Sequence, residues 1–183
     1  MNPELVEKLL AIHEALKKNS LPHAFGGAIA LAYCVEEPRG TRDLDVNIFV
    51  DAQKAGEVLA ALPEGVRLEE GDVEKAIRDG QTRLFWDGVP IDVFLNNLPL
   101  HDDVANGVLW VEMQETQIPV LDCASLVIFK SFFARTKDWG DIEEVALATP
   151  EDVDTAVKAV AGLVGEDDPS YKRLAEISAA NPP

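Results

Sequence analysis

The stretch from residue 23 to residue 50, HAFGGAIALAYCVEEPRGTRDLDVNIFV, decides the fold. Its first three residues predict a short strand, and the pair Gly26-Gly27 then predicts a turn into an apolar helix that reaches about residue 35. From residue 43, polar and apolar residues alternate as Asp-Leu-Asp-Val-Asn-Ile-Phe-Val, which is the pattern of a strand with one buried face. A strand, a glycine turn, a helix and a second strand predict an α/β (α+β) fold.

Asp43 and Asp45 are the two acidic residues at the start of that second strand. Because side chains alternate between the faces of a strand, both carboxylates are expected to project from the same side. Two such carboxylates disfavour joint ionisation unless a cation lies between them. Oxygen ligands without nearby histidine or cysteine favour a hard ion, Mg²⁺ or Mn²⁺.

A third carboxylate, Asp92, stands between Ile91 and Val93 on a later predicted strand. Residues 82–86 and 89–95 flank Asp87-Gly88, which predicts a tight hairpin. A third carboxylate on a neighbouring strand could complete a metal site of the kind that serves phosphoryl transfer.

Each of these features also has a purely structural explanation. Gly26-Gly27 is typical of an ordinary turn, and the pair Asp43 and Asp45 is typical of the polar face of an exposed strand. Lys130, in a predicted late helix, fits a lysine whose stem packs on apolar surface while its ammonium reaches water. Their occurrence in one order along the chain favours the functional interpretation.

In that order the sequence resembles the minimal nucleotidyltransferases of the DNA polymerase β-like superfamily. Two further stretches, residues 39–42 and residues 130–141, are similar to the branch of AbiEii-type toxin nucleotidyltransferases and their relatives. The gap of 15 residues between Gly27 and Asp43 is slightly longer than is usual in that superfamily. The resemblance covers about residues 22–145 and is carried by Phe25-Gly26-Gly27, Asp43-Leu44-Asp45-Val46 and Ile91-Asp92-Val93.

The resemblance implies a nucleotidyltransferase-like mixed β-sheet flanked by helices. It also implies an enzyme that moves a nucleoside monophosphate from an NTP to a hydroxyl acceptor and releases pyrophosphate. Asp43, Asp45 and Asp92 would be the catalytic residues and would hold Mg²⁺ or Mn²⁺. The family also implies an antitoxin protein as a partner in a toxin-antitoxin pair. The residues expected at the nucleotide and its phosphates are Gly26, Gly27, Arg42, Lys130 and Arg135, the two arginines being equally able to pair with structural carboxylates.

The net charge of the chain bears on the chemical class of the acceptor. With 33 acidic and 16 basic residues the formal net charge is -17, which opposes binding of a long polyanion. A small molecule or a protein is therefore favoured over tRNA as the acceptor. The alternative function is a catalytically inactive nucleotide-binding or protein-interaction module with the same fold.

The chain predicts a nucleotidyltransferase-like core over residues 1–122 and a helical region over residues 123–180, with helices broken at Gly140, at residues 149–150 and at residues 165–169. No apolar run reaches the roughly 20 residues of a membrane span, and the first residues lack the pattern of a signal peptide. These features predict a cytoplasmic protein without membrane attachment. Cys34 and Cys123, both in apolar stretches, are expected to be separate buried thiols.

Overall fold

The computed structural model describes residues 2–96 and 100–182. The glycine pair, the three aspartates and the predicted hairpin all lie within residues 23–96. In chain order the elements are α1 (Pro3–Lys18), β1 (His23–Phe25), α2 (Gly27–Leu31), β2 (Leu44–Asp51), a single 3₁₀ turn (Ala52–Lys54), α3 (Ala55–Ala60), α4 (Asp72–Asp79), β3 (Gln81–Trp86), β4 (Val89–Asn96), α5 (Leu100–Asn106), β5 (Leu109–Met113), β6 (Thr116–Val120), α6 (Cys123–Phe133), α7 (Thr136–Ala148), α8 (Pro150–Val164) and α9 (Pro169–Ala180).

The strands form one mixed sheet in the order β3-β4-β2-β1-β6-β5. β2 runs parallel to β4 and antiparallel to β1, while β3 and β4 form the predicted hairpin. Both residues of its turn, Asp87 and Gly88, have positive φ, which matches the twist of a tight hairpin. The predicted α/β class with a mixed sheet is confirmed.

Burial along β2 follows the predicted alternation. Leu44, Val46 and Ile48 are fully buried, as are Ile91 and Val93 at matching positions of β4. Apolar side chains of these two strands therefore face the core, and the residues between them face the opposite side of the sheet.

The chain divides into two compact units. The first contains residues 1–29 and 40–121 and includes the whole sheet with α1. The second contains residues 30–39 together with the C-terminal helices α6 to α9. In the second unit α8 packs against both α6 and α9, and its core includes Leu126, Ile142, Val153, Val160 and Leu174.

Cys34 and Cys123 form a disulfide within the second unit, with their Cα atoms 5.6 Å apart. The expectation of two separate thiols is therefore wrong, although both residues are buried as expected. The apolar surroundings of each cysteine indicated burial. They could not show that residues 30–39 lie against the start of α6, because that contact joins segments 89 positions apart.

Two local predictions also need correction. α7 continues through Gly140, because a single exposed glycine costs a helix about 1 kcal/mol and does not break it. α2 ends at Leu31, and the chain continues in turns with bonds such as Cys34 N–H to Leu31 O.

In the described part of the chain, no helix is long and apolar enough to cross a membrane.

Candidate active site

Two of the three predicted carboxylates are neighbours across the sheet. Asp45 of β2 and Asp92 of β4 are register partners in the parallel pair, so their side chains leave the same face on strands about 4.8 Å apart. Asp43 precedes the first residue of β2 and accepts a short hydrogen bond from the Thr41 hydroxyl. We call Asp43, Asp45 and Asp92 the carboxylate row.

Arg83 of β3 extends this row by one strand. It is the register partner of Asp92 in the hairpin, and its guanidinium forms two hydrogen bonds with that carboxylate, Nε to Oδ1 at 2.7 Å and Nη2 to Oδ2 at 2.6 Å. Hydrogen bonding to Asp92, the charge of Asp92 and the charges of Asp43 and Asp45 raise the pKa of Arg83 above its ordinary value. All three carboxylates therefore act electrostatically on one arginine.

Sequence reasoning missed Arg83, although a signal was present. The Asp87-Gly88 turn fixes the hairpin register and pairs Trp86 with Val89, and counting back along both strands pairs Arg83 with Asp92. The alternation of buried Thr82 and Leu84 around Arg83 points its side chain to the face of Asp92.

The glycine pair packs against the carboxylate row. Gly26 N–H donates to the carbonyl oxygen of Asp45 at 2.9 Å, and Gly27 has a φ of +52°. A Cβ atom on Gly27 would lie 1.8 Å from Asp45 Oδ2, and one on Gly26 would lie 2.9 Å from Asn47 Nδ2. The sequence predicted that these glycines allow close approach of a polyphosphate. In the structure they allow close approach of the Asp45 side chain.

Arg42 lies in a different environment from the carboxylate row. It is exposed and lines an open groove of about 610 Å³ together with Asn2, Glu4 and Leu5 at the start of α1 and with the β3–β4 turn. Asp43, Asp45 and Asp92 do not line this groove. Thr41, which donates to Asp43, also lines the groove.

Lys130 and Arg135 belong to the second unit, where they form part of an ion cluster around two buried carboxylates. Lys130 is 4% exposed, and its Nζ lies 2.5 Å from Asp141 Oδ2 and 3.6 Å from Asp138 Oδ1. Arg135 binds Asp138 through Nε and Nη2, at 2.6 and 3.1 Å. Arg39 binds Asp141 through two bonds of 2.9 Å. We call Arg39, Lys130, Arg135, Asp138 and Asp141 the ion cluster.

Electrostatics within the ion cluster keep both carboxylates ionised. Burial by itself would raise the pKa values of Asp138 and Asp141, but the hydrogen bonds from Arg135, Arg39 and Lys130 and the neighbouring positive charges outweigh it. Both pKa values therefore lie below the ordinary value of an aspartate.

The donor atoms of the carboxylate row suit a hard divalent ion, because they are all carboxylate oxygens. Among the side chains that the structure describes, however, no three His, Cys, Asp or Glu residues gather closely enough to hold a metal ion. Asp45 and Asp92 supply an adjacent pair, and Arg83 engages both oxygens of Asp92. The donor atoms of a metal site are therefore present, but one of the three carboxylates, Asp92, is hydrogen-bonded to Arg83.

Comparison with known proteins relates the chain to others by structure only. No model of a known protein family matches the sequence, and no curated protein matches it. The solution structure of the antibiotic-resistance factor ANT(2'')-Ia matches with a TM-score of 0.55 at 13% identity, covering 98% of this chain and 92% of that chain. A crystal structure of ANT(2'')-Ia in complex with adenylyl-2''-tobramycin gives 0.55 at 15% identity, covering 97% and 98%.

A second antibiotic-modifying protein has a similar structure. The lincosamide antibiotic adenylyltransferase LnuA, with lincomycin bound, matches with a TM-score of 0.53 at 16% identity, covering 78% of this chain and 97% of that chain. At these identities the likeness establishes the fold. The chain has a nucleotidyltransferase fold, as the sequence motifs predicted.

Proposed function

We propose that this protein is a nucleotidyltransferase that moves a nucleoside monophosphate from an NTP to a hydroxyl group of an acceptor, with release of pyrophosphate. The observation that carries the proposal is the pairing of Asp45 with Asp92 across β2 and β4, beside the Gly26-Gly27 turn. The same fold in LnuA, an adenylyltransferase, supports it.

We further propose Mg²⁺, or Mn²⁺, as the cofactor of the carboxylate row. Asp43, Asp45 and Asp92 offer only oxygen donors, which these ions prefer. When bound there, a divalent ion would neutralise the triphosphate and polarise its α-phosphate.

Residues of the chain take part in the remaining steps of the reaction. The acceptor hydroxyl oxygen attacks the α-phosphorus, the bond from that phosphorus to the bridging oxygen breaks, and pyrophosphate leaves with the bond electrons. The Asp92 carboxylate accepts the hydroxyl proton. Gly27 keeps Asp45 seated against the turn, since any side chain there would occupy the position of Asp45 Oδ2.

The other residues predicted to contact phosphate differ in how well their surroundings suit that role. Because Gly26 N–H already donates within the sheet, a phosphate contact at the turn falls to Gly27 and the first residues of α2. Arg42 is exposed and could reach a ligand in its groove. The charges of Lys130 and Arg135 are directed to Asp138 and Asp141, and their role at the triphosphate stays a prediction.

A small molecule with a hydroxyl group is the acceptor we favour. The net charge of -17 repels nucleic acid, and both named neighbours are described with antibiotics, tobramycin and lincomycin. A protein acceptor is second, and tRNA is third because a reader of RNA requires a broader basic surface.

The AbiEii-type branch, the toxin role, the antitoxin partner and the cytoplasmic location rest on the sequence and stay predictions. The disulfide between Cys34 and Cys123 weighs against the cytoplasm, where thiols are generally kept reduced.

One observation favours the second candidate, a catalytically inactive nucleotide-binding module. Arg83 engages both carboxylate oxygens of Asp92, the residue assigned to the acceptor proton. An enzyme must release that carboxylate for catalysis, whereas a nucleotide sensor need not.

The proposal is tested by measuring pyrophosphate release from each of the four NTPs with Mg²⁺ and with pooled acceptors. The pools are hydroxyl-bearing antibiotics, proteins and tRNA, and the Asp79→Asn variant, altered at an exposed aspartate of α4, serves as a matched control. We expect release that requires both Mg²⁺ and an acceptor, and that is unchanged in the control. Thermal stabilisation by an NTP without release under any condition would instead support the binding module.

A further inference from the structure

Arg83 is the feature of the first unit that the proposed reaction leaves without a role. It lies on β3 at the edge of the sheet, and its side chain is 49% exposed while that of Asp92 is 16% exposed. A guanidinium on the solvent side of Asp92 has room to move away from it. Its two bonds nevertheless occupy the oxygens that a metal ligand would offer.

We propose that Arg83 is a positioning residue that competes with the divalent ion for Asp92, holding the carboxylate in the metal-free protein and giving it up when the metal binds. This inference rests on the proposed function, since it assumes that the carboxylate row binds a divalent ion.

The charge balance of the row supports competition. Three aspartates carry three negative charges, and Arg83 is held against one of them by register and by two hydrogen bonds. A divalent ion on the same carboxylate would be repelled by the guanidinium and would need the same oxygens. Arg83 thus offsets the mutual repulsion of the aspartates without metal, and opposes metal entry.

The pair Arg78 and Asp79 shows what distinguishes Arg83. It has the same geometry, with two bonds of 2.8 Å between an exposed arginine and an aspartate. It joins adjacent residues at the end of α4, whereas Arg83 reaches an aspartate that is in register with Asp45. An arginine that only stabilises the fold would behave like Arg78.

The test is a titration with Mn²⁺ in the absence of nucleotide, in which electron paramagnetic resonance reports free Mn²⁺. The proteins are the wild type, Arg83→Gln, Arg83→Lys and the control Arg78→Gln, each checked for native secondary structure by circular dichroism. We expect Arg83→Gln to bind Mn²⁺ about fivefold more tightly, the scale of a partly exposed charge pair. Arg83→Lys, which keeps the charge but loses the paired bonds, should lie between it and the wild type, and Arg78→Gln should match the wild type.

A second set of Mn²⁺ titrations uses the Asp92→Asn variant. In that background Arg83→Gln should no longer tighten Mn²⁺ binding, because the contested carboxylate is gone. Unchanged or weaker Mn²⁺ binding by folded Arg83→Gln, or the same tightening in the Asp92→Asn background, would overturn the inference while leaving the proposed function intact. Failure of all these proteins to bind Mn²⁺ at millimolar concentration would overturn both proposals.

Discussion

The carboxylate row and the ion cluster use the same residue types to different ends. In the row, three aspartates stand beside one arginine that is half exposed. In the cluster, two aspartates are enclosed by three cations, and Asp138 and Asp141 are 0% and 6% exposed. The two carboxylates of the cluster are buried and are outnumbered by their three cations, whereas the three carboxylates of the row are partly exposed and outnumber Arg83. Acidic residues near basic ones therefore indicate a ligand site only where the carboxylates remain accessible.

The largest expected effect comes from Gly27→Ala in the row. A Cβ there would lie 1.8 Å from Asp45 Oδ2, so Asp45 must leave its position. We expect transfer activity to fall by at least about 100-fold, the scale of losing one well-placed catalytic group. The matched control is Gly71→Ala, because Gly71 also has positive φ but a Cβ there meets nothing within 4 Å.

Both variants place an alanine at a positive φ, and only Gly27→Ala disturbs the row. Equal activity of Gly27→Ala and Gly71→Ala in an NTP-dependent pyrophosphate assay would show that the seating of Asp45 is irrelevant to the reaction.

Lys130→Met probes the ion cluster. Lys130 is the buried cation of the cluster, and without it Asp138 and Asp141 keep only the partly exposed Arg135 and Arg39, so the free energy of unfolding should fall by about 3 kcal/mol. Urea unfolding measures this, with Lys17→Met as the control, since Lys17 is exposed and pairs only loosely with Glu14 at 3.5 Å. Unaltered stability together with a large loss of nucleotide affinity would reverse the comparison and return Lys130 to the triphosphate.

Reduction of the disulfide is the next effect in size. Closing a loop over 89 positions restricts the unfolded chain, and losing it should lower the free energy of unfolding by about 3 kcal/mol. Urea unfolding with and without reductant measures the change, and a Cys34→Ala, Cys123→Ala double variant should already be destabilised and insensitive to reductant. Identical unfolding midpoints for the oxidised and reduced protein would contradict this.

The smallest effect is a dependence on pH in the first unit, away from the row. Burial lowers the pKa of His23 to about 4, and the pKa of His13, whose Nδ1 lies 2.9 Å from His23 Nε2, is also lowered by burial. The unfolded chain binds these protons more readily, so stability is complete above pH 6.5 and is lost as the pH falls toward 4.

The loss should reach about 2 kcal/mol, less than the full shift of His23 implies because part of the ring is solvated. Chemical denaturation between pH 7 and 4 measures it, and His23→Gln should flatten the slope. A slope that is the same in the variant would exclude His23 as its source.

The local elements of the first unit could be predicted from the sequence. Alternation along residues 44–50, the Asp87-Gly88 turn and the glycine pair identified β2, the hairpin and the start of α2, because each depends on neighbours along the chain. Long-range partners could not be predicted. The bond between Cys34 and Cys123, and the carboxylates around Lys130, depend on how distant helices pack.

At the candidate site, too, the residues could be predicted from the sequence but their long-range contacts could not. Asp45 and Asp92 were identified as residues, but their register became visible only when β2 was found parallel to β4. Lys130 was interpreted as a phosphate ligand or as a lysine reaching water, and neither interpretation anticipated its burial between Asp138 and Asp141.

Whether the carboxylate row is the site of nucleotidyl transfer is tested most directly by comparing the activity of Asp45→Asn with that of the wild type. The change keeps the shape of the side chain and removes one of the charges that repel each other in the row, so the variant should fold with unchanged or slightly higher stability. With NTP, Mg²⁺ and an acceptor identified in the screen, we expect pyrophosphate release by the wild type and at least about 1,000-fold less by Asp45→Asn. Release by the variant at the rate of the wild type would show that the carboxylate row is not the site of nucleotidyl transfer.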